Sequence, residues 1–585
     1  MKKRWILKKN ADDEIVNNLA DELNISKNLS SLLINRGITT YKEAKDFFRP
    51  SLSGLHNPFL YKDMDKCINR IESAIKNNEK ILIYGDYDVD GTTAVALVYS
   101  FLKKFYKNVD YYIPDRYDEG YGISKKSIDF AADNNFSLVI ALDCGIKGNE
   151  KIDYANTKNI DFIIGDHHRP GDELPKAYAI IDAKRKDCIY PYDELSGCGV
   201  GFKIVQAYAQ KNNIPFEKIT KYLDLVALSI ASDIVQITGE NRILAYYGLK
   251  QINKNPRPGF EAILKYSNIK KNNFNSFNTE TIFNKQLSIS DLVFFIGPRI
   301  NAAGRIENGA ESVKLMIAED IDSANKIASN INNCNDHRKD LDTNTTLQAL
   351  EIIRKEDEQN NKKRTSTIVY NPDWHKGVIG IVASRLTEYY YCPTIVLSKS
   401  NGMITGSARS VKNFDIYNAI ESCKEFLSNF GGHKYAAGLI LDPKNLEAFK
   451  KRFQEVVDST IEEKMLIPEI EIDRIINLNE INSKFFKILK QFAPFGPGNM
   501  IPIFQTNNVI DTGQCRIVGK NHLKLNVIHP DISGYPVSAI AFKQADKFDY
   551  ISQGKPFDIT YHLEENNWNG NISIQLNIKD IKIHQ

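Results

Sequence analysis

The sequence predicts an α/β protein, with two α/β lobes joined by a long helix and a small β-barrel at the C-terminal end. Three observations predict it. From residue 80 to residue 181 short apolar runs alternate with helix-like segments, the pattern of a parallel sheet. From about 310 to 358 the chain reads as helical, polar and long, with no strand signal. From about 468 onward the period changes to two: in ISIQLNIK, Ile572, Ile574, Leu576 and Ile578 share one face, and Gly/Pro-rich turns such as PFGPGN accompany the change.

Each element follows in order. Residues 1–79 read as a helical, polar N-terminal extension whose connecting stretch is interrupted by Pro50 and Pro58. Residues 80–309 form the first lobe. Ile81–Tyr84 is a strand, GDYDVDG an acidic loop, and TTAVALVYSFLKKF a helix. Val109–Ile113, Leu138–Leu142, Phe162–Ile164 and Ala179–Ile181 are further short buried strands. Residues 310–358 are the helical connector. Residues 359–464 form the second lobe, with TSTIVY as a strand, GVIGIVASRLTEYY as a helix, and PTIVLS and MITGSARS as strands. Residues 465–585 form the barrel.

Composition bounds the rest. At 585 residues the chain exceeds the roughly 250–300 residues a single core supports. Its 42% hydrophobic and 25% charged content excludes a disordered or collagen-like chain. A net charge of +3 argues against wholesale basic wrapping of nucleic acid but permits a local basic groove. Apolar runs such as Leu225–Ala231 fall short of the roughly 20 residues a membrane span needs. MKKRWILKKN offers only Trp5–Leu7 between basic flanks, too little for a secretory segment. The eight cysteines include no C-x-x-C pair, so reduced, buried thiols in a cytoplasmic protein are expected.

The acids and histidines carry the chemistry. Asp86, Asp88 and Asp90 follow the first apolar run, and Asp143 follows Leu138–Leu142. Asp166, His167 and His168 follow Phe162–Ile164, and Asp233 closes LVALSIAS. Strand ends of a parallel sheet converge on one edge, so groups about 150 residues apart can meet there. Asp and His without Cys make a hard site suited to two divalent cations, Mn²⁺ or Mg²⁺. Such ions would relieve carboxylate repulsion, acidify a water and stabilise charge on a phosphoryl oxygen. The plainer alternatives are that one such Asp caps a helix, or that D-x-D-x-D-G is a partial calcium loop; that loop lacks its acidic residue at position twelve. Cys188 and Cys198 lack a second pair for zinc.

GDYDVDG, LDCG, DHH at 166–168 and ASD at 231–233 resemble the phosphoesterase motifs of the DHH superfamily. IPDRYDEGYG, GPRINAAGR, WHKGVIGIVASR, GSARS, GGHKYAAG and APFGPGN resemble, within it, the RecJ exonuclease family, from about residue 50 to the end. Met500 stands where that family more often has proline. The resemblance implies a DHH lobe, a DHH-associated lobe and an OB-like domain. It implies Asp88, Asp90, Asp143, His167 and Asp233 as metal ligands, with Asp143 bridging. Asp86 and His168 would stand next to the metals and the scissile phosphate, His168 either as an acid or as a residue fixing a ligand. Arg116, Ser407 and Arg409 would hold a 5′-terminal phosphate. Arg299, Asn301 and Arg305, read as a Gly-flanked loop, with His375 and His433, would contact the substrate. GSARS itself reads as a small-residue turn able to cradle phosphate. Arg516, Lys520 and Lys524 alternate with apolar residues, as in a single-strand groove or in any half-solvated strand.

The implied activity is 5′→3′ hydrolysis of single-stranded DNA to 5′-mononucleotides, in repair and recombination, by a monomer working beside a helicase and a single-strand-binding protein. Two other readings stand against it. One is a phosphodiesterase for short oligoribonucleotides or cyclic dinucleotides, which would need neither connector nor barrel. The other is a non-catalytic single-strand-binding scaffold, which would have no chemical reason to keep the acids and histidines together.

Overall fold

A run such as Lys80–Gly85, apolar on both faces, is stable only with helices above and below it, and that is how it lies. In the computed structural model, which describes residues 3–272, 280–359, 364–568 and 571–584, five parallel strands make the first sheet. Their spatial order is Val109–Tyr112, Lys80–Gly85, Phe136–Leu142, Asp161–Gly165, Ala179–Ile181. Strands and helices fall where the apolar runs place them. One boundary moves: the helix expected from Thr92 begins at Val89, so the acidic loop shrinks to a tight turn and Asp90 is already helical. Gly91 permits this, since a Cβ there would stand 2.4 Å from the Asp86 carbonyl oxygen.

The chain divides into two compact units. One comprises Leu7–Gly304, Asn308–Ile331 and Glu471–Gln585; the other comprises Met1–Ile6, Arg305–Glu307 and Asn332–Ile470. The polar stretch after 310 is helical as expected, in two helices, Ala310–Ile317 and Ile321–Gln359. The smaller unit holds a mixed five-stranded sheet in the order Asn429–His433, Ala436–Leu441, Met403–Arg409, Thr394–Ser400, Thr367–Tyr370, with the helix Ile379–Tyr390 against it.

In the larger unit, residues 474–583 form a seven-stranded sheet that closes on itself where Phe504–Asp511 also pairs with His522–Ile528. Leu576 and Ile578 point inward as the period of two requires, and Ile574 is half-buried; the side chain of Ile572 lies outside the described residues. Among the described residues, 3–79 form no core of their own. Leu19, Leu29, Leu32 and Leu33 join the barrel core beside Phe492 and Phe504, whereas Met64, Ile68 and Ile71 pack on the first sheet's helices.

An ion pair fixes the segment before residue 61. Lys203 and Glu240 are both fully buried, 2.7 Å apart, and Glu240 also accepts from the His56 N–H and the Tyr190 hydroxyl. Removing one partner strands a charge in the core. Glu240→Ala should therefore cost about 3–5 kcal/mol in urea unfolding. Glu240→Leu combined with Lys203→Met should recover most of that; a double variant as unstable as the single would mean that packing, not the stranded charge, sets the cost.

Candidate functional site

The sheet register builds the site. Gly85 pairs with Leu142, Leu142 with Gly165, and Gly165 with Ile181. The next residue on each of these four strands is an aspartate: Asp86, Asp143, Asp166 and Asp182. All four are buried, in one row at the carboxyl edge. Asp143 sits at φ +60°, its N–H donating to the Gly165 carbonyl. Asp182 was not singled out from the sequence, although it follows Ala179–Ile181 as the others follow their strands.

The remaining acids arrive on helices. Asp88 is the N-cap of Val89–Leu102 and accepts from the Gly91 N–H at 3.0 Å, so the helix-cap reading is correct for it as well. Asp90 lies in that helix's first turn. Its carboxylate accepts from Gly197 N–H and Cys198 N–H, both at 2.7 Å, and from Ser229 Oγ at 2.7 Å. These N–H groups open the helix Gly197–Lys211, whose positive end favours the anion. Asp233 does not close a strand; LVALSIAS is the helix Leu223–Ser232, and Asp233 is its C-cap. A run apolar on every side reads alike as a buried strand or a buried helix.

His167 draws these groups together. Its Nε2 lies 3.1 Å from Asp143, 3.6 Å from Asp90 and 3.7 Å from Asp233. Asp90, His167 and Asp233 form one set of convergent ligand atoms; Asp143, His167 and His168 form another. Asp166 orients rather than ligates. It accepts from the Ile146, His167 and His168 N–H groups and, at 2.8 Å, pairs with His168 Nδ1. His168 Nε2 stands 3.2 Å from the Tyr121 hydroxyl, which also reaches the Asp143 carbonyl oxygen. The Lys184 ammonium donates to the His167 carbonyl at 2.6 Å.

The electrostatics fit divalent cations. Burial, then Asp90 and Asp88, pushes the Asp143 carboxyl well above the usual range. Burial and Asp88 do the same to Asp86, one of whose buried oxygens lacks a hydrogen-bond partner among the described residues. Burial and Asp90 raise Asp88, and burial with Asp90 and Asp88 pushes Asp233 up to about 8. Burial also lowers His167 toward the neutral form that ligates metal. Asp166 is also penalised by burial, but the His168 ring and the Ile146 and His168 N–H groups outweigh that and bring it down to about 2. Carboxylates that repel one another, with Asp90 and Asp143 buried and Asp88 and Asp233 more open, beside a neutral imidazole, are a donor set for Mn²⁺ or Mg²⁺.

The basic residues fall into separate places. Arg116 is half-buried over the Tyr87 ring. Arg299, Asn301 and Arg305 lie on the helix Gly297–Ile306, not on a loop. Arg299 is buried and donates to the Phe295 and Tyr266 carbonyls, so those donors serve the fold. Arg305 donates to the Gly377 carbonyl.

In the smaller unit Ser407 and Arg409 lie on the strand Met403–Arg409, not in a turn, and alternate onto the same half-buried face. Arg409 Nη1 is 3.0 Å from Ser407 Oγ, and desolvation alone lowers its pKa. A Cβ on Gly380, in the first turn of Ile379–Tyr390, would stand 3.0 Å from Ser407 Oγ and 3.1 Å from Arg409 Nη2. A serine, an arginine and the first turn of a helix thus meet closely, and only a glycine at 380 lets them do so. His375 accepts from the Gly377 N–H, and His433 is exposed at a strand end.

On the barrel, Arg516 lies opposite Lys524 across two strands, and Lys520 is exposed in the turn between them. Like charges paired across strands are destabilising unless a polyanion meets them. Among the described residues no convergent ligand set includes Cys188 or Cys198, and no helix is long and apolar enough to cross a membrane.

The comparisons agree along the whole chain. The DHH family N-terminal domain matches residues 80–230, the DHHA1 domain 363–459 and the RecJ OB domain 472–580. The single-stranded-DNA-specific exonuclease RecJ of Bacillus subtilis is 33% identical over 587 residues, covering 100% of this chain and 71% of its own. That of Escherichia coli is 30% identical over 570 residues, covering 94% and 95%. The crystal structure of RecJ in complex with Mn²⁺ from Thermus thermophilus superposes with a TM-score of 0.82 at 23% identity, over 100% of this chain and 80% of that one. That of exonuclease RecJ bound to manganese gives 0.58 at 25% identity, over 71% of this chain and 98% of that one.

Proposed function

We infer the function from one premise: the chain belongs to the RecJ family. It is a single-stranded-DNA-specific exonuclease, a phosphodiester hydrolase dependent on Mn²⁺ or Mg²⁺. The observation that carries the chemistry is His167 Nε2 set among the strand-end Asp143 and the helix-borne Asp90 and Asp233. Asp88, Asp90, Asp143, His167 and Asp233 would hold two cations. When bound, such ions supply an acidified water and charge stabilisation at the phosphoryl oxygens.

The chain's own residues do the rest. Asp166 holds the His168 ring in one orientation, leaving Nε2 toward Tyr121 and the reacting phosphate. Ser407, Arg409 and Arg116 bind the terminal 5′-phosphate. With that phosphate held, hydrolysis falls between the first and second nucleotides, and the 3′ oxygen of the first is the leaving group. The products are a 5′-mononucleotide and a strand whose new 5′-phosphate binds again, which gives 5′→3′ polarity. A cytoplasmic setting, a helicase to expose single strands and a single-strand-binding protein to present them complete this reading.

The test is direct. With Mn²⁺ present, 5′-end-labelled single strands should yield labelled mononucleotide as the first product, and EDTA should stop it. Cleavage confined to dinucleotides, short oligoribonucleotides or cyclic dinucleotides would favour the small-substrate phosphodiesterase, and binding without cleavage the scaffold.

The barrel supplies affinity in this reading. Arg516→Ala with Lys524→Ala removes two phosphate contacts. It should flatten the log–log salt dependence of long single-strand binding by roughly 1.4, at about 0.7 per contact. An unchanged slope would make the pair a solvated face.

A further inference from the structure

We propose that Tyr87 is a specificity-determining positioning residue, its ring carrying the Arg116 guanidinium and so setting the clamp on the terminal phosphate. The inference rests on the reading of Arg116 as a phosphate-binding residue. Arg116 Cζ stands 4.8 Å from the centroid of the Tyr87 ring. Tyr87 occupies the position between Asp86 and Asp88, so one turn of backbone carries both metal-site acids and the support for the arginine.

The position of that ring is determined from its own backbone. A Cβ on Gly304 would stand 2.7 Å from the Tyr87 carbonyl oxygen, and one on Gly309 would stand 3.3 Å from Tyr87 Cβ. Two glycines therefore let neighbouring backbone close on Tyr87. The segment bearing Arg116 is braced separately. Asp115 accepts from the Tyr117 N–H at 2.7 Å and the Asp118 N–H at 2.9 Å, and Glu119 accepts from the Asp115 N–H and the Tyr112 hydroxyl. Those bonds fix the loop's backbone. The long Arg116 side chain is what the ring must hold.

Charge explains why an aromatic ring suits this task. Asp86 directly precedes Tyr87, and one buried Asp86 oxygen has no hydrogen-bond partner among the described residues. An unsupported guanidinium would be drawn toward that oxygen and away from a substrate phosphate. A guanidinium stacked on an aromatic face is held by the ring quadrupole through its plane, which keeps its N–H edge available for an anion. A carboxylate partner would hold Arg116 as well, but would cancel the charge the phosphate needs.

The experiment uses the full-length protein with Mn²⁺ and measures kcat/KM on the same single-stranded oligonucleotide with a 5′-phosphate and with a 5′-hydroxyl. The ratio of the two, taken on one preparation, is independent of the fraction that folds. Tyr87→Phe keeps the ring and should hold the ratio within about twofold. Tyr87→Leu should lower it about five- to tenfold, chiefly through KM on the phosphorylated strand. Arg116→Ala should lower it at least as far, and adding Tyr87→Leu to Arg116→Ala should change it no further. A Tyr87→Leu ratio equal to wild type, with Arg116→Ala collapsed, overturns the inference while leaving the phosphate reading intact. An unchanged ratio in Arg116→Ala overturns that reading and the inference with it.

Discussion

Asp143→Asn should abolish hydrolysis, by on the order of 10³-fold or more, while leaving the metal-free protein at least as stable as wild type. Asparagine is the right substitution because Asp143 sits at φ +60°, a conformation asparagine adopts readily and alanine does not. What it removes is the charge. In a purely structural role, losing a buried carboxylate would destabilise the fold. Here burial and three or more neighbouring acids hold the carboxyl well above its ordinary range.

An acid whose folded pKa is raised stabilises the fold below its unfolded pKa and loses that contribution as pH rises through the folded value. Chelated wild-type protein should therefore lose stability from about pH 4 upward toward about 8, the value for Asp233. Mn²⁺ should restore it, and Asp143→Asn should flatten the profile and blunt the Mn²⁺-induced rise in Tm. A variant that melts markedly lower under chelation would show that Asp143 serves packing. Activity within a few-fold of wild type would remove it from the cation site.

Much of this site was legible in the sequence because strand ends are local signals. An apolar run followed by Asp marks both the strand and its carboxyl edge, which placed Asp86, Asp143 and Asp166 before any register was known. Asp233 was found by motif and by its place after an apolar segment, whose element stayed open, since a run buried all round carries no period to separate helix from strand. The anchors of Asp90 were not legible: the N–H groups of Gly197 and Cys198 and the Ser229 hydroxyl come from chain more than a hundred residues away. Nor was Asp342 legible. In a helix expected as a polar connector it is fully buried, 2.6 Å from Arg385 of the motif WHKGVIGIVASR, a pairing only the tertiary fold reveals. The N-terminal extension misleads in the same way. Its leucines show an amphipathic period but not their partner, the barrel core. Deleting the barrel would strip Leu19, Leu29, Leu32 and Leu33 of cover, so its role is better tested by Arg516 and Lys524 than by truncation.

Arg409→Ala should impair 5′-phosphorylated substrates roughly ten- to hundred-fold more than 5′-hydroxyl ones, the loss of charge-assisted bonds of about 1.5–3 kcal/mol. The geometry of the smaller unit carries the expectation. Its guanidinium is desolvated, and burial alone accounts for its lowered pKa; its Nη1 bonds are to a serine hydroxyl and the Ala408 carbonyl, both neutral. Such a cation is costly to keep unless an anion meets it. Gly380 lets the opening turn of Ile379–Tyr390 approach the same face. Arg409→Lys keeps the charge but not the planar fork, and should recover only part of the preference. Ser407→Ala should cost less than Arg409→Ala, since a neutral hydroxyl bond contributes about half as much. Equal impairment of phosphorylated and hydroxyl-ended strands by Arg409→Ala would assign the arginine to the internal backbone of the strand or to the fold, and the polarity of degradation would then need another source.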